Sequence, residues 1–222
     1  MHPTSAGSVD ANDWFAGLGP EIASLDYGAL IPYRDESASW RCNWKLLLDT
    51  FLESYHVFAL HKTTLASFYL GIASPFDAFG PHNRIVVPQT SILRQAETPP
   101  EQRELLPYAV LQYFMAPNVI VSNLYGYVMT WRFVPHGVDE TTVHHALYTY
   151  RPAESAEDRA HFDQRFDAAR TVTGDEDFPA SEDIHRNLSS GVIERTTAGR
   201  NEPGMAHFHR MVEAAVASNG AS

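Results

Sequence analysis

Residues 110–150 read VLQYFMAPNVIVSNLYGYVMTWRFVPHGVDETTVHHALYTY. The segment is rich in Val, Tyr, Phe and Thr, which favour β-strands. Turn-forming residues divide it at Pro117-Asn118, Gly126 and Pro135-His136-Gly137. We therefore predict four strands at 110–115, 119–124, 127–134 and 142–150. Because the connections are short, the strands should pair antiparallel as a meander.

The flanking segments are predominantly helical in pattern. Residues 44–60 carry apolar side chains at helical spacing, and Ser155 with Asp158 resembles a capping box that opens a helix over 156–172, ended by Gly174. Further helices are predicted at 178–188 and 203–217, and strands at 84–87 and 90–94. Residues 1–40 read as a lead-in of short helices or loops, and 41–222 as one domain. This order predicts an α+β fold, with helices packed on one side of a curved antiparallel sheet.

Composition excludes several classes of function. The 222 residues suit one domain, and no apolar run reaches the roughly 20 residues that span a bilayer. A net charge of −11 argues against binding to nucleic acid or an anionic membrane. The first 16 residues lack a signal-peptide pattern, so we expect a cytoplasmic protein. Cys42 is the only cysteine, so the chain can build no iron–sulfur cluster, and nitrogen and oxygen must hold any metal.

Residues 43–61 place Glu53, His56 and His61 in an apolar segment. Buried imidazole and carboxylate groups need a hydrogen-bond or metal partner, which points to a site. On a straight helix the two histidines lie about 140° apart and could not bind one ion. We therefore predict that the helix ends, bends or carries a π-bulge between Val57 and Leu60. The alternative is that His56 is a hydrogen-bonded core histidine and His61 a surface histidine.

A third ligand would be a carboxylate distant in sequence. The acidic run at 174–183 and the histidine that follows it supply the candidates: Asp175, Glu176, Asp177, Glu182, Asp183 and His185. Acidic runs at helix starts often serve instead as caps and partners of the helix dipole. The residues alone do not choose among these. Two histidines and one carboxylate with open positions are the ligand set of non-haem iron(II) oxygenases.

Several motifs resemble the catalytic domain of the α subunits of Rieske-type aromatic-ring-hydroxylating oxygenases. They occur in the family's order: NWK at 43–45, DTFLESYH at 49–56 with His61 five residues on, YFMAPN at 113–118, ED at 176–177 with Glu182, and NEP and HFH at 201–203 and 207–209. The resemblance covers most of the chain from about residue 20. The contracted spacing before Glu53 looks closer to the choline and carnitine oxygenase branch than to the naphthalene dioxygenase branch.

The resemblance implies a helix-grip (START/Bet v1-like) fold and a mononuclear Fe(II) site. His56, His61 and Asp177 match the iron ligands. Glu53 matches the acidic residue that links the iron site to the Rieske cluster of a neighbouring subunit in a ring, so a homotrimer is a natural expectation. The implied reaction is O2-dependent hydroxylation or oxidative demethylation of a small organic substrate, by mono- or dioxygenation.

The chain departs from the family pattern at Thr50, at Lys62 and at 185–187, and it lacks the Cys-x-His and Cys-x-x-His motif of a Rieske domain. We therefore expect a catalytic domain alone, as a piece of a larger protein or with electrons from a Rieske/ferredoxin or reductase partner in trans. The alternative is a degenerate or non-enzymatic helix-grip domain that binds a small ligand.

Aromatic and apolar residues of the strand block are candidates for the substrate pocket, although each also suits a plain sheet core: Tyr113, Met115, Val121, Tyr125, Met129 and Trp131. Tyrosines and tryptophans in this block could also form an aromatic cage for a quaternary ammonium group. The sequence does not identify the substrate.

Overall fold

The computed structural model describes residues 10–71 and 74–219. Its centre is an open, curved sheet of seven antiparallel strands in the order β1-β7-β6-β5-β4-β3-β2. The strands are β1 Ile31–Trp40, β2 Phe76–Phe79, β3 His82–Pro88, β4 Ala109–Met115, β5 Val119–Leu124, β6 Tyr127–Pro135 and β7 Thr141–Thr149. The four strands predicted in the 110–150 block are confirmed to within one residue at each end.

In the part of the chain that the structure describes, seven α-helices accompany the sheet: α1 Ala11–Phe15, α2 Gly19–Ser24, α3 Trp44–Asp49, α4 Val57–Leu60, α5 Ala156–Thr171, α6 Phe178–Ser189 and α7 Pro203–Asn219. The predicted capping box opens α5, since Ser155 accepts the N–H of Asp158 and the Asp158 carboxylate accepts the N–H of Ser155. None of the helices within 10–71 and 74–219 has the length and hydropathy needed to cross a bilayer.

The sheet separates two apolar clusters, because successive side chains of a strand point to opposite faces. Phe114 belongs to the larger cluster, which α3, α5, α6 and α7 complete on one face. Tyr113 belongs to the smaller cluster, where Leu18 and its neighbours cover the other face. The α+β helix-grip prediction is confirmed, with the long helices on one side and the short N-terminal helices on the other.

The secondary structure predicted for residues 1–40 was wrong for the last ten residues. Ile31–Trp40 forms the edge strand β1 and pairs with β7 from Ile31↔Thr149 to Trp40↔Thr141. As an edge strand, β1 leaves much of its length exposed, so its polar sequence IPYRDESASW lacks the apolar alternation of a buried strand. Residues 1–9 lie outside the described part, and the division into a lead-in and one domain stays a prediction.

The helix predicted over 44–60 was also wrong in its middle. The chain leaves the helix at Asp49 and re-enters it at Val57, so the break lies before the predicted position between Val57 and Leu60. The Glu53 carboxylate accepts the backbone N–H groups of Tyr55 and His56, and Ser54 Oγ donates to the Gly71 carbonyl at 3.1 Å. These local bonds replace the helical ones that a continuous helix would make.

Two further predictions need correction. Residues 90–94 belong to a 3₁₀ segment, Thr90–Glu97, and not to a strand. Gly174 does not end a helix, because a π-helical turn, Val172–Asp177, continues α5 into α6. A π turn inserts one residue into a helix and changes which side chains share a face. Of the distortions predicted for 57–60, the helix end occurs at Leu60, whereas the π-helical turn lies in the run that carries Asp177.

Candidate metal centre

The two histidines flank the short helix α4. His56 is its N-cap, and His61 is its C-cap, where the backbone turns out of the helix with φ −96° and ψ 39°. Since α4 is only four residues long and the backbone leaves the helix at His61, the side chains need not diverge as on a straight helix. Their Nε2 atoms lie 3.1 Å apart, with the ring planes inclined at 72°.

Asp177 meets the histidines from the π turn. Its Oδ1 lies 2.9 Å from His61 Nε2 and 3.5 Å from His56 Nε2. Among the described residues, these three form the set of His, Cys, Asp or Glu side chains placed to share one metal ion, with ligand atoms within 4.8 Å of one another. The structure thus brings together the three residues predicted from the motifs.

Two glutamates fix the orientation of the rings. Glu53 Oε1 bonds to Nδ1 of His56, and Glu176 Oε2 bonds to Nδ1 of His61 while accepting the Thr64 hydroxyl at 2.8 Å. Burial raises the pKa of Glu53, but hydrogen bonds from His56 and Tyr55 outweigh it, so the net pKa lies below its usual value. An ionised carboxylate on Nδ1 holds the proton there and leaves the lone pair of Nε2 facing the triad.

Three acceptor atoms, the two Nε2 atoms and Asp177 Oδ1, therefore converge at a site that is largely shielded from solvent. The side chains of His61 and Asp177 are 1% and 7% exposed, and that of His56 is 23% exposed. Asp177 Oδ1 makes no hydrogen bond with proper geometry to any described residue. Lone pairs facing one another at these distances repel, and a cation at their centre removes the repulsion. Two imidazoles and one carboxylate suit a first-row divalent metal.

A proton is the competitor for this position. Burial lowers the pKa of His61, but Asp177 and Glu176 raise it by more than burial lowers it. The net pKa therefore lies above its ordinary value. In the absence of a metal, His61 accordingly binds a proton more readily than a free histidine. Metal binding at this site would release that proton, as expected for an imidazole ligand.

The remaining carboxylate candidates make other contacts. Asp175 is exposed, Glu182 accepts the backbone N–H of Arg41 at 2.6 Å, and Asp183 pairs with Arg186. His185 Nε2 lies 2.9 Å from Asp139, away from the triad. The role of Glu176 as the partner of His61 Nδ1 was missed, because the sequence analysis treated Glu176 only as a possible metal ligand. Its position beside Asp177 was the available signal, but adjacency does not show which ring it contacts.

The predicted pocket lining was largely wrong. Tyr113, Met115 and Val121 lie in the cluster on the face away from the long helices, and the Tyr113 hydroxyl donates to Glu21 at 2.6 Å. Tyr125 is 71% exposed. Met129 and Trp131 alone among the six belong to the cluster beneath the long helices.

Comparison with known proteins agrees with this geometry. The family described as ring hydroxylating alpha subunit (catalytic domain) matches residues 28–218. The structure resembles the quaternary ammonium Rieske monooxygenase CntA with a TM-score of 0.74 and 16% identity, over 93% of this chain and 56% of that one. It resembles dicamba monooxygenase with a TM-score of 0.61 and 13% identity, over 89% of this chain and 64% of that one.

At these identities the structural likeness shows a shared fold, and the chain spans 56% and 64% of the length of those two proteins. No curated protein sequence matches it. The family match extends over most of the chain and includes the segments that carry His56, His61 and Asp177. The chain therefore belongs to the ring-hydroxylating α subunits, and it matches their catalytic domain.

Proposed function

We propose that this chain is the catalytic domain of a mononuclear non-haem Fe(II) oxygenase, with His56, His61 and Asp177 as the metal ligands. The observation that carries the proposal is the convergence of three acceptors, of which His61 and Asp177 are buried and His56 is half-buried. Glu53 and Glu176 bond to the Nδ1 atoms of the two rings and so keep both Nε2 lone pairs available. Iron(II) held there would supply O2 activation for hydroxylation or oxidative demethylation of a small organic substrate.

The protein's own contribution is to hold the ligands and leave part of the coordination sphere free. The three donors come from two segments, α4 with its flanks and the π turn, and together they offer three coordination positions. A first-row metal with three protein ligands keeps further positions for small molecules. Of the three side chains, His56 is the most exposed, so small molecules would reach the site from its side.

Glu53 is proposed as the contact for electron delivery. Its side chain is 10% exposed and bonds directly to the His56 ring. Beside it, Tyr55 and Phe58 are 66% and 44% exposed and form a surface on which a donor could bind. We propose that a Rieske/ferredoxin or reductase partner docks in trans at this surface. A structure of CntA gives insight into inter-subunit electron transfer, which supports a donor outside the catalytic domain for this chain too. The homotrimer is proposed from the family resemblance alone.

Anaerobic Fe(II) titration tests the ligand assignment. We expect the wild-type chain to bind one iron and His56→Ala to lose it, because two remaining donors hold a divalent metal poorly. His136→Ala is the matched control, since His136 is exposed and contacts Thr142 far from the triad in sequence. Circular dichroism should show all three proteins folded. Equal iron stoichiometry in wild type and His56→Ala contradicts the proposal.

The alternative of a non-enzymatic ligand-binding domain makes a different prediction. It expects small-molecule binding without metal, and no product even when iron, a Rieske ferredoxin and its reductase are supplied. The oxygenase proposal expects O2 consumption in that reconstituted mixture and negligible turnover when the donor is left out. Iron binding without any donor-dependent turnover would favour the alternative.

A further inference from the structure

A cavity of about 300 Å³ lies between the sheet and the turn that carries Asp177. Its lining includes Trp131 and His145 from β6 and β7, and Thr173, Gly174 and Phe178 from the helical side. Phe178 follows Asp177 directly, so one wall of the cavity continues the segment that supplies the carboxylate of the triad. Phe51, two residues before Glu53, has its ring centroid 4.9 Å from that of Trp131.

Two buried nitrogens beside this cavity have no partner. Trp131 and His145 are 4% and 5% exposed, yet neither Trp131 Nε1 nor His145 Nε2 makes a hydrogen bond to a described residue. The two residues are directly opposite each other in the sheet and their rings stack, with centroids 4.6 Å apart. A buried polar group without a hydrogen-bond partner is costly and rare, so two neighbouring ones indicate a ligand that satisfies them.

The surroundings keep His145 neutral. Its ring lies between Trp131 and Phe166, whose centroid is 4.4 Å away, and the Arg34 guanidinium lies over the Phe166 ring. Burial, and then the charge of Arg34, lower the pKa of His145 to about 4. At neutral pH the pair therefore offers the Trp131 N–H, which can only donate, and a neutral imidazole nitrogen.

The same stacking argues against a cage for a quaternary ammonium. A cation binds an aromatic ring over its face. One face of Trp131 is covered by His145, and Phe51 packs against the ring at an interplanar angle of 47°. Both neighbours of the His145 ring are stacked on it. The cavity rim carries Glu36 and Asp175 against Arg170. The covered ring faces, and not the charge of the rim, therefore argue against a cation.

We propose that Trp131 and His145 form a recognition pair that binds an uncharged or anionic oxygen acceptor of a small molecule and discriminates against quaternary ammonium compounds. The Trp131 N–H donates to the ligand oxygen, and the neutral His145 adds a second hydrogen bond. Binding itself does not need the metal. The pair's role in choosing a substrate rests on the oxygenase function proposed above.

Calorimetric titration of the full chain tests the pair with three probes of similar size: benzyl alcohol, benzoate and benzyltrimethylammonium. We expect benzyl alcohol or benzoate to bind at least about 10-fold more tightly than the cation, and Trp131→Phe to weaken that binding about 3- to 10-fold by removing the donor. Trp44→Phe is the matched control, because Trp44 packs on Phe208 outside the cavity lining and should leave affinity unchanged.

A measurement on the wild type covers the case in which Trp131→Phe does not fold. Benzyl alcohol or benzoate should shift one of the four tryptophan indole N–H signals in an NMR spectrum, and the cation should shift none. Tighter binding of the cation, equal affinity in wild type and Trp131→Phe, or no saturable binding of either oxygen probe overturns the proposal. Iron measured in the same samples separates the two ideas: a chain that binds probe but no iron contradicts the oxygenase function alone.

Discussion

At the scale of single residues, Glu53 serves two purposes with one carboxylate. It accepts the backbone N–H groups of Tyr55 and His56, just before the chain re-enters the helix, and it bonds to Nδ1 of His56. The histidines and Asp177 could be predicted from motifs because their order and spacing are specific. The pairing of Glu176 with His61 could not, because it depends on a contact 115 positions apart in the chain.

Replacing Glu53 by Gln should separate metal binding from electron delivery. The amide can still accept backbone N–H groups, but it lacks the charge that holds the Nδ1 proton. We expect iron to be retained and donor-dependent turnover to fall about 10- to 100-fold, the usual effect of losing a partner of a ligating histidine. Steady-state O2 consumption and iron analysis measure this. Glu182→Gln, which leaves both histidine partners intact, is the control. Unchanged turnover in Glu53→Gln would refute its role.

At the scale of elements, β-favouring side chains and turn-forming residues made the strands of the 110–150 block predictable. The edge strand, the helix break before α4 and the π turn were not predicted. The edge strand β1 is too polar to read as a strand, and the break before α4 depends on side chains that bond to nearby backbone. The π turn in the second ligand segment joins α5 and α6 into one continuous helical run, although Gly174 predicted the end of a helix there. These are tertiary effects that a single segment does not encode.

Gly204 illustrates how closely α7 packs on this framework. A Cβ at this position would lie 2.4 Å from the Leu52 carbonyl oxygen and 2.9 Å from Ile85 Cδ1. We expect Gly204→Ala to lower the free energy of unfolding by about 1–3 kcal/mol, because α7 must move away from the backbone before Glu53. Urea denaturation measures the change.

The control for this substitution is Gly28→Ala. A Cβ on Gly28 would meet nothing within 4 Å, so its stability should change by no more than about 0.5 kcal/mol. Equal stability of Gly204→Ala and Gly28→Ala would show that α7 yields without cost. If Gly204→Ala folds normally but binds iron more weakly, the shift of the backbone near Leu52 must extend to Glu53.

At the scale of the whole molecule, buried neutral histidines make stability depend on pH. His145 has its pKa lowered to about 4 by burial and by Arg34, whereas an unfolded chain binds the proton near the ordinary value of 6.5. The stabilisation from a neutral His145 is therefore complete above pH 6.5 and is lost as the pH falls towards 4. The unfolding free energy should drop by about 1.4 kcal/mol per pH unit in that range, or about 3 kcal/mol in total.

Comparing the wild type with His145→Gln isolates this contribution, since the many carboxylates titrate in both proteins. Chemical denaturation between pH 7 and pH 4 should give a shallower decline for His145→Gln. Glutamine keeps a hydrogen-bonding side chain but cannot be protonated there. Parallel pH profiles for the two proteins would mean that His145 is charged or accessible in the folded state.

The triad joins segments that are far apart in the chain, the flanks of α4 and the π turn between α5 and α6. A bound ion would thus cross-link the two segments and close a loop that contains most of the sheet. Because any ligand that binds only the folded form stabilises it, local opening of either segment would have to release the ion. Amide hydrogen exchange should accordingly slow at Val57–Leu60 and Val172–Asp177 together when Fe(II) is added. The metal would then stabilise the fold in addition to taking part in the reaction.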